Sequence, residues 1–389
     1  MIVELIVLLV VLFVTLSIVH LKKQKYTKEG IPIIGHIPWL GCGIQLGKEG
    51  PYFLKKMNEK YGDVFQIRAG GKQMTFCLNE TFLKRFYLAP EHEVSFYKGL
   101  FSDDSPFGLN IIIGNPTQKH LTTEEINEAP NIKIIKKFIT DEQDLINELP
   151  NEFETALGMA LGKDMELLKQ GKTIEIDAFE IITKMITVLT SKLMLGERVA
   201  HNPAFLEHCF VHQKNSVAVC SLPHIFAKKH IQIVTTARRA AIEIIQDSID
   251  RGDDTVAHQL SLASYSSGRS YRPEAALTAH SLVFATLANT NAATTNCLIE
   301  ILTNQDVKRK VLAEIEEIAP PVANIPFENI SKLEYLNGCI SETVRIYAPP
   351  IHLRKSVVDM KDDNDRIIIP KNEFICVSPF LRYSTILLI

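Results

Sequence analysis

The residues best placed to do chemistry fall in two stretches of the 389-residue chain. One runs from Tyr335 to Arg354, YLNGCISETVRIYAPPIHLR. Glu342 and Arg345 stand three apart in it, on one helical face. There a carboxylate and a guanidinium either pair with each other or both reach a third charged group, and a solvated surface pair is the plainer alternative. The other stretch, from Pro273 to Asn304, carries Asn289, Thr290, Asn291, Thr294, Thr295 and Asn296 within an otherwise apolar run. Amides and hydroxyls in such a place either bond back to their own helix or face a bound group. A third cluster, His208, Cys209 and His212, has the i, i+4 spacing of metal ligands. No carboxylate completes a ligand set there, so no metal is expected and a partly buried helix face is the alternative.

The elements that must position these residues are legible from periodicity. Leu336, Cys339, Ile340 and Val344 recur at helical spacing, which predicts a helix with one buried stripe, stopped by Pro349 and Pro350. Pro273 suits a first helical turn, and about thirty residues without another breaker predict a long helix buried through a large body. Ile174 to Leu195 reads as an amphipathic helix ending at Gly196, and Pro51 to Tyr61 as a short one. Asp63 to Leu78 alternates around Gly70 and Gly71, which predicts a hairpin with a two-residue turn. Ile367 to Pro379 reads as two short strands about a turn. Lys228, Lys229, Arg238 and Arg239 form a basic run, read as a solvated or membrane-facing surface.

A hydrophobic content of 46% against 22% charged residues allows a large core. The formal net charge of -3 gives no sign of nucleic-acid binding. Seven scattered cysteines without a CxxC pair suit a reducing compartment. Ile2 to Val19 is nearly continuous aliphatic sequence, enough to span a bilayer, and Lys22, Lys23, Lys25 and Lys28 place the remainder of the chain in the cytosol. A cleaved signal peptide would need positive charge before the apolar run and a small-x-small site after it, and neither is there. Residues 1–20 are thus read as a transmembrane anchor, 21–50 as a basic and Pro/Gly-rich linker, and 51–389 as the folded body.

The stretch around Glu342 resembles the K helix of the haem-thiolate monooxygenases, the cytochromes P-450. Their Glu-x-x-Arg, proline turn and further Arg appear in order as Glu342 to Arg345, Ala348-Pro349-Pro350 and Arg354. The Pro273 to Asn304 stretch resembles the family's I helix, which passes over the distal haem face. Ala285-Thr286-Leu287-Ala288-Asn289-Thr290 aligns with its small-Gly-x-acidic-Thr-hydroxyl pattern, putting Ala288 at the acid and Asn289 at the relay Thr. That departure is similar to the branch containing sterol hydroxylases and prostacyclin synthase. The string KYGDVFQIRAGGKQ resembles the family's first helix and hairpin, and Gly30 to Pro38 its hinge.

The resemblance implies a mainly α fold with a small β region, preceded by the transmembrane helix. It implies haem as cofactor, Asn289 and Thr290 as catalytic, and Ala285 and Arg354 as haem contacts, with Arg354 on a propionate. Glu342 and Arg345 become a locking pair beneath the haem. Phe284, Ala288, Ile351, His352 and Leu353 are expected to line the substrate pocket. No cysteine in residues 1–389 stands in the family's Phe-x-x-Gly ligand context, so the axial thiolate and the C-terminal ligand segment are expected to be absent from this sequence, leaving it inactive as written. The implied function is oxidation of a lipophilic substrate, a sterol or other lipid, at the endoplasmic reticulum membrane, with electrons from an NADPH-dependent reductase. The alternatives are a prostacyclin-synthase-like isomerase and a non-catalytic truncated membrane protein.

Overall fold

The computed structural model describes residues 11–12, 15, 26–35, 37, 41–106, 108–114, 125, 129–141, 143–222, 224–318, 327–347, 351–361 and 367–378. They divide into two compact units. One comprises Met1–Asn110, Ala218–Ala227 and Ala348–Ile389, the other Ile111–Val217 and Lys228–Tyr347.

The first unit contains strands β1 (Ile33–Ile34), β2 (Val64–Ala69), β3 (Lys72–Cys77), β4 (Val94–Ser95), β5 (His352–Ser356), β6 (Met360–Lys361), β7 (Ile367–Ile369) and β8 (Phe374–Val377). Six of them form one sheet in the order β1-β2-β3-β8-β5-β4, and β6 pairs with β7 separately. The β2–β3 hairpin is the one expected. Gly70 and Gly71 both take positive φ, 59° and 79°, the backbone that a tight two-residue turn requires of both positions. Strand β8 lies between β3 and β5 and is buried on both faces. Phe374 and Cys376 join Phe65, Ile67, Phe76 and Leu353 on one side, while Ile375 and Val377 join Cys77, Phe82 and Phe86 on the other. The two strands expected within Ile367 to Pro379 both exist. They belong to different sheets, parted by a turn at Asn372 with φ 71°. The expected linker is also partly structured: Ile33–Ile34 pairs in parallel with β2, and Gly43–Glu49 is helical.

Three helices flank this sheet. Helix α1 (Pro51–Tyr61) buries Phe53 and Leu54. Helix α2 (Glu80–Leu88) is capped by Asn79, whose side chain accepts from the Phe82 amide at 2.8 Å. Helix α3 (Phe96–Phe101) is capped by Ser95 and packs on β5.

The second unit is helical: α4 (Leu109–Ile113, from Ile111 on), α5 (Pro130–Asp141), α6 (Gln143–Leu161), α7 (Ala178–Leu195), α8 (Pro203–Ser221, up to Val217), α9 (His224–Arg251, from Lys228 on), α10 (Val256–Leu262), α11 (Arg272–Thr303), α12 (Gln305–Ile318) and α13 (Glu334–Tyr347). Asp177 caps α7 and Gly196 ends it with φ 78°. Helix α11 packs along α7 and α10, and its N-terminal half buries Ala275, Ala279, Val283 and Leu287 among Val188, Leu195, Ile245 and Leu260. Among the described residues no helix is long and apolar enough to cross a membrane. The Ile2 to Val19 run lies outside them except for residues 11, 12 and 15.

The last turn of α4 exposes carbonyls that its own helix cannot satisfy. Two helices supply donors. His212 Nε2 on α8 donates to Ile112 O at 3.0 Å and Arg238 on α9 to the carbonyls of Ile111 and Ile112, while the Ser281 hydroxyl on α11, bonded to Leu277 O at 2.7 Å, lies 3.4 Å from Ile113 O. Arg238 is therefore half-buried, not part of a solvated basic surface as the sequence suggests, because helix-terminal carbonyls draw its guanidinium inward. His280 lies edge-on to His212, ring centroids 5.1 Å apart, and its Nδ1 is buried without a hydrogen-bond partner.

Both imidazoles are neutral in the fold. Burial lowers His212 to about 4, and burial next to His212 and Arg238 lowers His280 well below 6.5. As pH falls the unfolded chain takes up these protons first, so their contribution is complete above about pH 6.5 and is lost on the way down to pH 4. His212 alone accounts for about 3 kcal/mol at the acid end. Denaturant melts across this window should show the decline, and His280→Phe should flatten it. A midpoint independent of pH from 6.5 to 4 would contradict the assignment.

Candidate active site

In the second unit, α11 presents one open stripe on an otherwise buried stretch. Ala285, Ala288, Asn289 and Thr290 are exposed, while Val283, Phe284, Leu287 and Asn291 are buried. The helical turn explains the split, since residues three to four apart share a face. Asn289 Nδ2 donates back to Ala285 O at 2.9 Å, and Thr286 Oγ1 to Leu282 O at 3.0 Å. The amide is thus partly satisfied by its own helix, which leaves Asn289 Oδ1 as an acceptor on the open side. Phe284, expected in a substrate pocket, is 6% exposed and packs edge-on to the His212 ring at 4.8 Å.

In the first unit, Arg354 sits on β5. Its Nη1 donates to Val94 O at 3.3 Å and its guanidinium lies over the Phe86 ring, 5.4 Å from the centroid. Strand alternation separates the neighbouring candidates. His352 shares the Arg354 side and its Nδ1 bonds the Tyr87 hydroxyl at 2.8 Å, whereas Leu353 points the other way, 5% exposed in the sheet core. Ile351 packs against that same core. Leu353 and Ile351 therefore build the sheet instead of lining a pocket, a correction that comes from the strand's two-residue period. Burial, then the Arg354 charge, lowers the His352 pKa.

Sequence reasoning missed Gly99. A Cβ there would stand 2.7 Å from Arg354 Cα and 2.9 Å from its carbonyl carbon, so only a glycine lets α3 seat against the strand that carries Arg354. No periodicity marks such a residue, because the approach is made by chain more than two hundred and fifty residues away.

Glu342 and Arg345 pair with each other on α13 through two hydrogen bonds, one from Arg345 Nε at 2.8 Å. The expectation of a buried lock is corrected: the side chain of Glu342 is 50% exposed and that of Arg345 20%. The pairing holds Glu342 below its ordinary pKa. The expected apolar stripe is likewise open. Ile340 and Val344 are exposed and Leu336 and Cys339 half-buried; Thr343 is the buried residue of the helix. Spacing identifies residues on a common face but not whether anything covers that face.

In the helical unit, the methyl groups of Ala285 and Ala288 would leave room for a flat macrocycle. In the sheet unit, Arg354, with no carboxylate partner among the described residues, has a guanidinium suited to a propionate. An axial thiolate is not supplied by the described cysteines. Cys42 and Cys209 are buried and pushed up to about 12, Cys220 to about 11, and Cys77 and Cys376, fully buried in the sheet, higher still. Cys297 is buried in α11, and Cys339 is raised by burial. His212 is committed to Ile112 O, and among the described residues no group of three or more His, Cys, Asp or Glu could hold a metal ion.

A family model described as Cytochrome P450 matches residues 28–381. Lanosterol 14-alpha demethylase of Cunninghamella elegans is 23% identical over 386 residues, covering 93% of this chain and 71% of that protein. Human 24-hydroxycholesterol 7-alpha-hydroxylase is 20% identical over 376 residues, covering 94% and 76%. Among solved structures, retinoic-acid-bound cyanobacterial CYP120A1 superposes with a TM-score of 0.70 at 18% identity, covering 91% of this chain and 78% of that one.

Two substitutions separate the positioning elements from the surface pair. Gly99→Ala should destabilise the protein by about 1–3 kcal/mol, because the added methyl meets backbone that cannot move aside. Glu342→Gln should cost well under about 1 kcal/mol, as expected of a carboxylate half open to solvent. Thermal melts of both variants check this; a severe loss with Glu342→Gln and none with Gly99→Ala would reverse the two roles.

Proposed function

The chain belongs to the cytochrome P450 family, and on that premise we propose a haem-dependent monooxygenase of a sterol or similar lipid, anchored at the endoplasmic reticulum membrane through Ile2 to Val19. Its body faces the cytosol and an NADPH-dependent reductase supplies electrons. The observation that carries the reading is the open stripe of Ala285, Ala288 and Asn289 set beside the buried Val283, Phe284, Leu287 and Asn291. The sterol class is supported by relatives named for sterol demethylation and hydroxylation. The anchor is supported by an aliphatic run followed by four lysines.

Haem, when bound, supplies the chemistry of oxygen insertion. The chain's own residues hold and orient. Arg354 offers its guanidinium to a propionate, a charge-assisted contact with planar geometry. Ala285 and Ala288 keep the helix surface low, so a flat ring can lie against it. Asn289, with one N–H on Ala285 O, keeps Oδ1 and its second N–H for a water, and the neighbouring Thr290 hydroxyl can hold the same water. Neither side chain titrates near neutrality, so a proton moves through the water they hold. Residues 1–389 provide no thiolate among their described cysteines, and no step is assigned to one.

Microsomes expressing the protein together with a reductase test the proposal. The protein should stay in the pellet after alkaline carbonate washing, and, once a family-like C-terminal ligand segment is appended, the washed membranes should convert a sterol to an oxygenated product. Asn289→Ala should slow product formation by about a hundredfold while leaving sterol binding unchanged, the scale of a lost proton-transfer contact. Recovery of intact protein in the wash, or full activity in Asn289→Ala, would count against the anchor and the stripe respectively.

A further inference from the structure

Asn291 is fully buried at the middle of α11, and its side chain reaches across to α7. Nδ2 donates to Thr183 Oγ1, Thr183 Oγ1 donates in turn to Phe179 O at 2.6 Å, and Thr295 Oγ1 donates to Asn291 Oδ1 at 3.2 Å. The chain of bonds has one consistent direction and ends on the α7 backbone, so every hydroxyl in it is satisfied as donor. Thr183 and Thr295 are both buried. A buried amide without these partners would be strongly disfavoured.

The local sequence explains why such a contact is needed. From Ala288 to Cys297 α11 reads ANTNAATTNC, with no large apolar side chain. Over this stretch hydrophobic burial cannot choose how the helix is turned about its axis, since Ala, Thr and Asn fill similar volumes on every side. A polar contact can choose, because only one rotation pairs the amide. Asn291 comes two residues after Asn289, which at 3.6 residues per turn is about 200° of rotation. Tying Asn291 to α7 therefore turns Asn289 to the opposite side, together with Ala285 and Ala288 at helical spacing. The observed exposure agrees: Asn291 is buried while Asn289, Ala288 and Ala285 are open.

We propose that Asn291 is a positioning residue, whose hydrogen bond to Thr183 fixes the rotation of α11 and so presents Ala285, Ala288 and Asn289 as the reactive face. Its functional meaning rests on that stripe being the haem-facing one, but the rotation itself can be measured without turnover. Cysteines introduced singly as Ala288→Cys and Leu287→Cys report the open and the buried side, and peptide mass spectrometry reads their labelling by a polar maleimide in the full chain. In the parent, position 288 should label at least about tenfold faster than 287, because a buried thiol reacts only after local opening. Asn291→Leu and the isosteric Thr183→Val should bring the two rates to within about twofold of each other while far-ultraviolet circular dichroism stays native. Thr183→Ser, which keeps the hydroxyl, should restore the parent ratio.

An unchanged ratio in folded Asn291→Leu or folded Thr183→Val overturns the proposal and makes Asn291 a filler of the core. Loss of the ratio in Thr183→Ser overturns it too, because the bond is retained there. If Asn291→Leu does not fold, Thr183→Val decides alone; if neither folds, the bond supports stability and not rotation, and the proposal fails. A normal labelling ratio in a protein that never oxygenates a sterol, even with the C-terminal ligand segment appended, would overturn the functional reading and leave the rotational one standing.

Discussion

The helical unit is constrained most by the requirement that polar groups inside it find partners. A 32-residue helix passes through the unit, and its middle is made of amides, hydroxyls and methyl groups. Large apolar residues anchor its N-terminal half among α7, α9 and α10. Beyond Leu287 the packing has to be specified by hydrogen bonds, and Asn291, Thr183 and Thr295 supply them. The same rule governs α4, whose terminal carbonyls collect His212 and Arg238 from two helices. An unpaired carbonyl or amide in these places would cost more than most single packing contacts give.

Burial also sets what the titratable groups can do. His212 and His280 are held neutral, with His212 Nε2 committed to Ile112 O, and the buried cysteines are held as thiols. The groups left with capacity are elsewhere. Arg354 is kept half-buried by Phe86 and Val94, with its strand admitted against α3 by Gly99. Asn289 is left with an acceptor because its amide hydrogen turns back on Ala285.

Much of this was legible in the sequence. Proline at the start of α11, glycine at the end of α7 and the Gly70-Gly71 turn report backbone requirements that act locally, and each element appears where those signals put it. The ordered pattern of Glu342, Arg345 and Arg354 pointed to the right family, although Glu342 proved half open to solvent. What failed shares one physical origin. Periodicity in α13 groups Ile340 with Val344 but cannot say that their face is uncovered, and alternation in β5 was not applied to separate Leu353 from Arg354. Gly99, Arg238 and Asn291 owe their roles to partners distant in sequence, and a single chain read in order carries no record of those meetings.

Native-state hydrogen exchange, resolved by peptide, tests most directly whether α11 is the element on which the unit hangs. Amides from Ala279 to Asn291 should be the slowest in the helical unit, opening only with global unfolding, while α12 exchanges through local fraying. Exchange of the Ala279 to Asn291 segment at the rate of α12 would mean that the helix opens on its own, and that neither its packing nor its bond to Thr183 organises the unit.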